Sequence, residues 1–297
     1  MNKVRLFKYV QYFITLNGMW STYEQRFSLQ MFFFTLFYIV HREQLNIKSF
    51  YVHVTTEIPM KASFGSSTSF ALCLAACFLH WSRLQRGDHN EFSMEEKGLI
   101  GASAMYCRKG TRSSMCLLDS SVGLCGNVAI IYELFGYLHH NKSTFPMPTM
   151  RILLVDSTVR QNKYDQIEHV ARLKCLYPEF TNRCLDVIDE VSRNIIAMLE
   201  LNDRFDILQD YVQSNQHMLY KLNLSNDKLN HIFYIAYVHG YRSVGKLTGI
   251  GEKKFAYILL RPGISEGEID NISAHIESHN FPVTVTSISC DGVRIED

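Results

Sequence analysis

Residues 57–80 read EIPMKASFGSSTSFALCLAACFLH, and the order of residue types in this stretch decides the fold. Its second part, FALCLAACFLH at 70–80, is apolar, rich in Ala and Leu and of helix length, which predicts a buried helix. Immediately before it stand Gly65, Ser66 and Ser67. Glycine lets a backbone approach a ligand closely, and two hydroxyls supply donors. A helix starting there aims its free amides and the positive end of its dipole at the same point. Those properties make a phosphate cradle. The same residues also suit an ordinary helix start, because serine is a favoured N-cap. This stretch alone leaves both readings open.

Upstream, residues 49–57 (SFYVHVTTE) are β-branched and aromatic with period-two alternation, which predicts a strand ended by Pro59. Before that lies MFFFTLFYIV, residues 31–40, only ten residues long. A bilayer span needs roughly 20 apolar residues, so this run is core and not a membrane segment. Lys3, Arg5 and Lys8 are scattered among apolar residues, unlike a targeting peptide, and the first 45 residues read as two core helices. Downstream, a polar turn at 83–90 precedes a helix at 94–106 and a strand at 127–133. The segment HHNKSTFPMPT, 139–149, holds two of the six prolines and is expected to be a loop. It marks the expected boundary between a first domain, 1–148, and a second, 149–297.

The second half opens with a buried strand at 151–155. Leu185, Ile188, Val191, Ile195 and Met198 fit one face of a helix. Further helices are expected at 205–222 and 229–239, then strands at 255–260 and 283–289 around a helix at 266–279. The pattern predicts an α+β protein.

Composition narrows the function classes. Of 297 residues 47% are hydrophobic and 20% charged, which excludes a disordered or fibrous chain. Thirty basic against 29 acidic residues leave a net charge of +1. That balance provides no general attraction for nucleic acid or an anionic membrane, and neither is expected as a partner. Eight cysteines include no Cys-x-x-Cys, and Cys107, Cys116 and Cys125, nine apart, match no common zinc site. Cys73 and Cys77, set in the apolar run, read as buried thiols of a reducing, cytoplasmic compartment. The sequons at Asn141, Asn223 and Asn271 follow no secretory signal and carry no weight. GYRSVGKL, 240–247, fits a Walker phosphate loop except that Leu247 stands where Ser or Thr must hold magnesium.

Taken with its neighbours, the 57–80 stretch resembles the phosphate-binding loop of the mevalonate kinases, within the galactokinase–homoserine kinase–mevalonate kinase–phosphomevalonate kinase (GHMP) superfamily. Asp119-Ser120-Ser121-Val122, followed by Gly126, is similar to the family's Asp-Asn-x-Val segment before a glycine-bearing strand. RILLVDSTVRQN resembles the strand that enters its C-terminal half, and NQHMLYKLNLSNDKL a helix-turn. GKLTGIG resembles its third motif, and ISCDGVRIED its closing strand. The matches keep their order over roughly residues 5 to 295.

The resemblance implies a GHMP-kinase fold with a shortened N-terminal half and a ferredoxin-like C-terminal half. It implies ATP-dependent phosphorylation of mevalonate in isoprenoid biosynthesis, with ATP and magnesium as cofactors and a homodimer as the assembly. Asp119 takes the position of the catalytic carboxylate. Gly65, Ser66, Ser67, Thr248, Gly249 and Gly251 take nucleotide-binding positions, and Ser66 that of a magnesium ligand. A second reading is a catalytically impaired relative that acts as a binding or regulatory module.

Departures from the family pattern fall on the chemistry. Its first motif, Pro-Gly-Lys leading to Gly-Glu-His, has no counterpart, which removes the lysine partner of the carboxylate. Two loop glycines are Lys61 and Ser63, and the magnesium glutamate falls on Met105. Glu252-Lys253-Lys254-Phe255 replaces a glycine run. Side chains at close backbone approaches block them, and these losses predict weak magnesium-ATP binding. The basic residues Lys61, Lys253 and Lys254 either reach phosphates as point charges or line a solvated face.

Overall fold

The computed structural model describes residues 2–296 apart from 60, 61, 63, 112–116, 127, 135, 136, 146–149, 202–206, 239, 240, 250, 251, 262, 289 and 290. For 108–111, 117, 118, 128–134, 137–145, 163 and 201 it describes the backbone alone. The chain divides into two compact units. One is formed by residues 1–57, 65–146 and 290–297, the other by residues 58–64 and 147–289.

The first unit is built on helices α1 (Lys3–Leu16), α2 (Tyr23–Glu43), α3 (Ser66–Leu84), α4 (Met94–Thr111) and α5 (Leu117–Cys125). Local chemistry starts them cleanly. Asn2 accepts from the amides of Val4 and Arg5, and Thr22 and Gln25 form a reciprocal capping box on α2. MFFFTLFYIV lies inside α2, where Met31, Phe34 and Ile39 join Leu72, Phe78 and Leu79 of α3 and Ile100 of α4 in one core. Among the described residues no helix is long and apolar enough to cross a membrane.

Three expectations fail in this unit. Residues 49–57 form no strand: they join no ladder among the described residues. Sequence pattern supplies the preference for a strand, but only a neighbour supplies the hydrogen bonds. Conversely, most of the expected 139–149 loop is β2 (Tyr137–Phe145), an antiparallel partner of β1 (Val128–Leu134) with a bulge between Ala129 and Ile131. Polar HHNKSTF pairs well enough once an adjacent strand offers a ladder. Thirdly, Cys73 and Cys77 are exposed, as is Cys175 of the second unit, whereas Cys107 and Cys184 are buried. The α3 run is apolar on all sides, so periodicity could not tell which face turns inward.

The second unit carries α6 (Lys163–Leu176), α7 (Pro178–Leu201), α8 (Leu208–Lys221), α9 (Asp227–Tyr237) and α10 (Glu266–Ser278), with strands β3 (Met150–Arg160), β4 (Val244–Leu247), β5 (Lys253–Leu259) and β6 (Val283–Ile288). The strands form one antiparallel sheet in the order β4-β5-β3-β6, the arrangement of a ferredoxin-like half. Strand periodicity puts Leu153, Val155, Ala256 and Ile258 on one face. There they pack against Leu229, Ile232 and Ile235 of α9 and Ile269, Ile272 and Ile276 of α10. On α7, Val191 and Met198 are buried, and Leu185 and Ile188 pack against Cys184, Met218 and Leu222. GYRSVGKL runs into β4, with a glycine at 245 because a Cβ there would collide with Phe233 and Ile258. Among the described residues of that stretch no phosphate loop forms.

Candidate phosphate-binding site

Helix α3 starts at Gly65, whose φ of 72° lies in the left-handed region. Its carbonyl accepts from the amides of Thr68 at 2.8 Å and Ser69 at 2.9 Å. The N-cap residue is therefore a glycine, and no side chain caps the helix. Ser66 and Ser67 occupy the first turn, half-buried, so the serine N-cap reading does not describe this helix start. By helix geometry the amides of residues 66 and 67 have no intrahelical acceptor, which leaves donors and the dipole end for an anion.

Asp119 closes the site from α5. A Cβ on Gly65 would stand 3.3 Å from Asp119 Cγ and 3.4 Å from its Oδ2, so the carboxylate packs directly on the glycine. The segment Asp119–Val122 lies within α5, ahead of Gly126 and β1. Gly123 lets α5 lie against Leu72 of α3, which is what brings the carboxylate to the helix start. Sequence reasoning passed over Thr68. It is 2% exposed, and its Oγ1 has no partner. Its only sequence signal is its place directly after the two serines.

The third-motif residues lie in the second unit. Thr248 is buried, its amide donates to Phe255 O at 2.9 Å, and its Oγ1 is unpartnered. Gly249 is exposed. Gly251 lies outside the described residues, as do Lys61 and Ser63. Lys254 is neither a free point charge nor part of a solvated face. It is 1% exposed, its ammonium donates to the Gln166 side chain of α6, and burial lowers its pKa to about 8. Ser157 Oγ, 2.6 Å from Lys254 O, fastens the same strand position to β3.

Met105 sits within α4, half-buried. At the start of that helix Glu96 is committed elsewhere. Burial alone would raise its pKa, but hydrogen bonds from Arg83 (2.6 Å), Ser93 and His89 outweigh it and hold the carboxyl at about 2. Among the described residues no group of three or more His, Cys, Asp or Glu side chains is arranged to hold a metal ion. At the α3 start the donors are one carboxylate and the serine hydroxyls. The hydroxyls and free amides suit a phosphate, and the carboxylate with the hydroxyls suits magnesium only if phosphate oxygens and water complete its octahedron.

No family profile matches the chain. It is 26% identical to human mevalonate kinase over 275 residues, covering 89% of this chain and 68% of that one. It is 24% identical to the mevalonate kinase of Gibberella zeae, covering 80% of this chain and 49% of the relative. The crystal structure of a Leishmania major mevalonate kinase in complex with R-mevalonate superposes with a TM-score of 0.61 at 15% identity, over 77% of this chain and 67% of that one. The chain is a divergent relative of the mevalonate kinases. It spans two thirds of the human protein's length and about half of the fungal one's, and its fold is that of the GHMP kinases.

Proposed function

We propose that this mevalonate kinase relative binds the phosphates of ATP at the start of α3 and transfers the terminal phosphoryl group to the hydroxyl of mevalonate. The observation that supports this most is the packing of Asp119 on Gly65, because phosphoryl transfer needs a carboxylate at the substrate hydroxyl beside a phosphate cradle. In this reading the amides and hydroxyls of Ser66 and Ser67 hold the phosphates, and Asp119 orients the alcohol and accepts its proton. Thr248, Gly249 and Gly251 are proposed as nucleotide-binding residues on the resemblance of their motif alone. A phosphate at the α3 start lies close to the Asp119 carboxylate, and a magnesium ion shared by phosphate, Ser66 and water would offset that repulsion.

The test is an ADP-release assay on the purified chain with magnesium-ATP, with and without mevalonate. Release that depends on mevalonate is the expected result, and none at any nucleotide concentration would defeat the proposal. Met105 and the engaged Lys254 favour a second reading, a binding module with little turnover. With so few donors, magnesium-ATP is expected to raise the melting temperature only at millimolar concentration. A magnesium-dependent shift at micromolar nucleotide would show an intact kinase site.

A further inference from the structure

The second unit contains a cavity of about 220 Å³ walled by α8, α9 and the beginning of β4. Tyr220 from α8, Asn230, Phe233 and Tyr237 from α9, and Gly245 from the strand line it, and among the described residues no Asp, Glu, Lys or Arg does. β4 is the edge strand of its sheet, so the alternation of its hydrogen bonds fixes what its backbone offers to this space. Thr248 N donates to Phe255 O at 2.9 Å, and in an antiparallel ladder residues 246 and 244 then also turn their N–H and C=O toward β5. Gly245 and Leu247 turn theirs away. Leu247 bears this out, because its amide donates to Gln216 Oε1 of α8 at 3.0 Å. Gln216 thus closes the edge at Leu247. Gly245 is buried and has no such cap: neither its N–H nor its C=O has a hydrogen-bond partner among the described residues. Buried backbone groups are almost always paired, and here the space beside them is a cavity.

We propose that this cavity binds a small neutral heterocycle through a lactam edge, the edge that pyrimidine and purine bases present. The N–H and C=O of one extended residue stand side by side and point the same way. Gly245 C=O accepts from the ring N–H, and Gly245 N–H donates to the ring carbonyl beside it. Phe233, which lies against Gly245, and Tyr220 and Tyr237 supply aromatic surface for stacking. The two tyrosines are 57% and 53% exposed, so they stand at the mouth. A lining without charge gives a phosphate nothing to pair with, which selects a neutral ligand. The volume exceeds the roughly 150 Å³ that takes a benzene ring, so a pyrimidine fits. This inference stands apart from the kinase reading, since no residue of the α3 start takes part.

The test uses uracil as the probe, with no nucleotide or magnesium present, and follows the glycine amides of the full chain by nuclear magnetic resonance. The Gly245 amide is expected to move with a dissociation constant of about 1 mM, as suits so small a ligand. N,N′-dimethyluracil keeps the ring but has no N–H, and is expected to bind at least about fivefold more weakly. Tyr220→Ala and Tyr237→Ala lie at exposed positions and should keep the parent melting temperature while weakening uracil about fivefold or more. A Gly245 amide that stays still up to about 10 mM uracil would overturn the proposal, as would equal binding of the dimethyl compound or indifference to both tyrosine variants. Uridine monophosphate binding more than about tenfold tighter than uracil would show a site for a charged ligand, and the assignment to a neutral one would fall.

Discussion

The start of α3 and the turn from β4 to β5 are the two places that most resemble a nucleotide site, and they differ in what meets the backbone. At α3 the left-handed glycine is present, no side chain caps the helix, and a carboxylate packs on the glycine itself. At the other place, Thr248 and Gly249 lead into Glu252-Lys253-Lys254, and the lysine that replaces a glycine is drawn into the protein to Gln166. In one region the local geometry leaves helix donors open to a ligand. In the other, a charge that looked available to a ligand has become an internal tie between β5 and α6. Residue type alone does not separate these outcomes, because both regions are short, polar and glycine-bearing.

The contrast can be broken most forcefully at Asp119. Asp119→Asn is expected to lower any mevalonate-dependent turnover by about 10²–10⁴-fold with the melting temperature near that of the parent. Turnover unchanged by that substitution would remove Asp119 from the reaction and with it the special status of the α3 region.

Lys254 sharpens the other side. Its pKa falls from 10.5 to about 8 on folding, so between those values the unfolded chain holds a proton that the folded chain lacks. Stability from this group therefore rises with pH through that window, and the cost of burying the ammonium is fullest below about pH 8. Lys254→Met is expected to stabilise the protein at pH 7 by on the order of 2 kcal/mol and to flatten the pH dependence between pH 8 and 10. Denaturant titrations at pH 7 and near pH 10 read both effects. A loss of nucleotide binding without a gain in stability would mean that the lysine serves the ligand after all.

Smaller effects are expected at the glycine and the serines. Gly65→Ala places a side chain at φ 72° and 3.3 Å from the Asp119 carboxyl carbon. The cost is expected at about 1–2 kcal/mol, measurable as a lowered urea midpoint. Ser66→Ala and Ser67→Ala should change stability by only a few tenths of a kcal/mol, because neither residue is the N-cap. They should weaken nucleotide binding by up to about tenfold through the loss of hydrogen bonds to a charged phosphate. A larger change in folding than in binding would return these serines to an ordinary helix start.

Much of this was legible from residue order. The apolar pattern of 31–40 and 70–80 sets two buried helices, and Gly65 with Asp119 marks the site. The buried apolar run at 151–155 and the strand signals at 255–260 and 283–289 are enough to anticipate three strands of the second sheet. What stayed hidden has a common cause. Residues 49–57 have the stronger strand propensity, yet among the described residues only 137–145 has a neighbour that completes a ladder. Cys73 and Cys77 stand in a run so uniformly apolar that nothing in it points inward or outward. Thr68 looked like one more polar residue of a loop until its hydroxyl was seen to be buried without a partner.

By itself the sequence determined the helices, the order of the motifs and the α+β class, because periodicity, small residues and helix caps act over a few residues and need no distant partner. Tertiary structure alone decided which carboxylate reaches Gly65, which lysine is buried and which β-prone segment joins no ladder among the described residues. Those outcomes depend on residues far apart in the chain sharing one volume, and only the packing of α5 on α3 and of β5 against α6 specifies that.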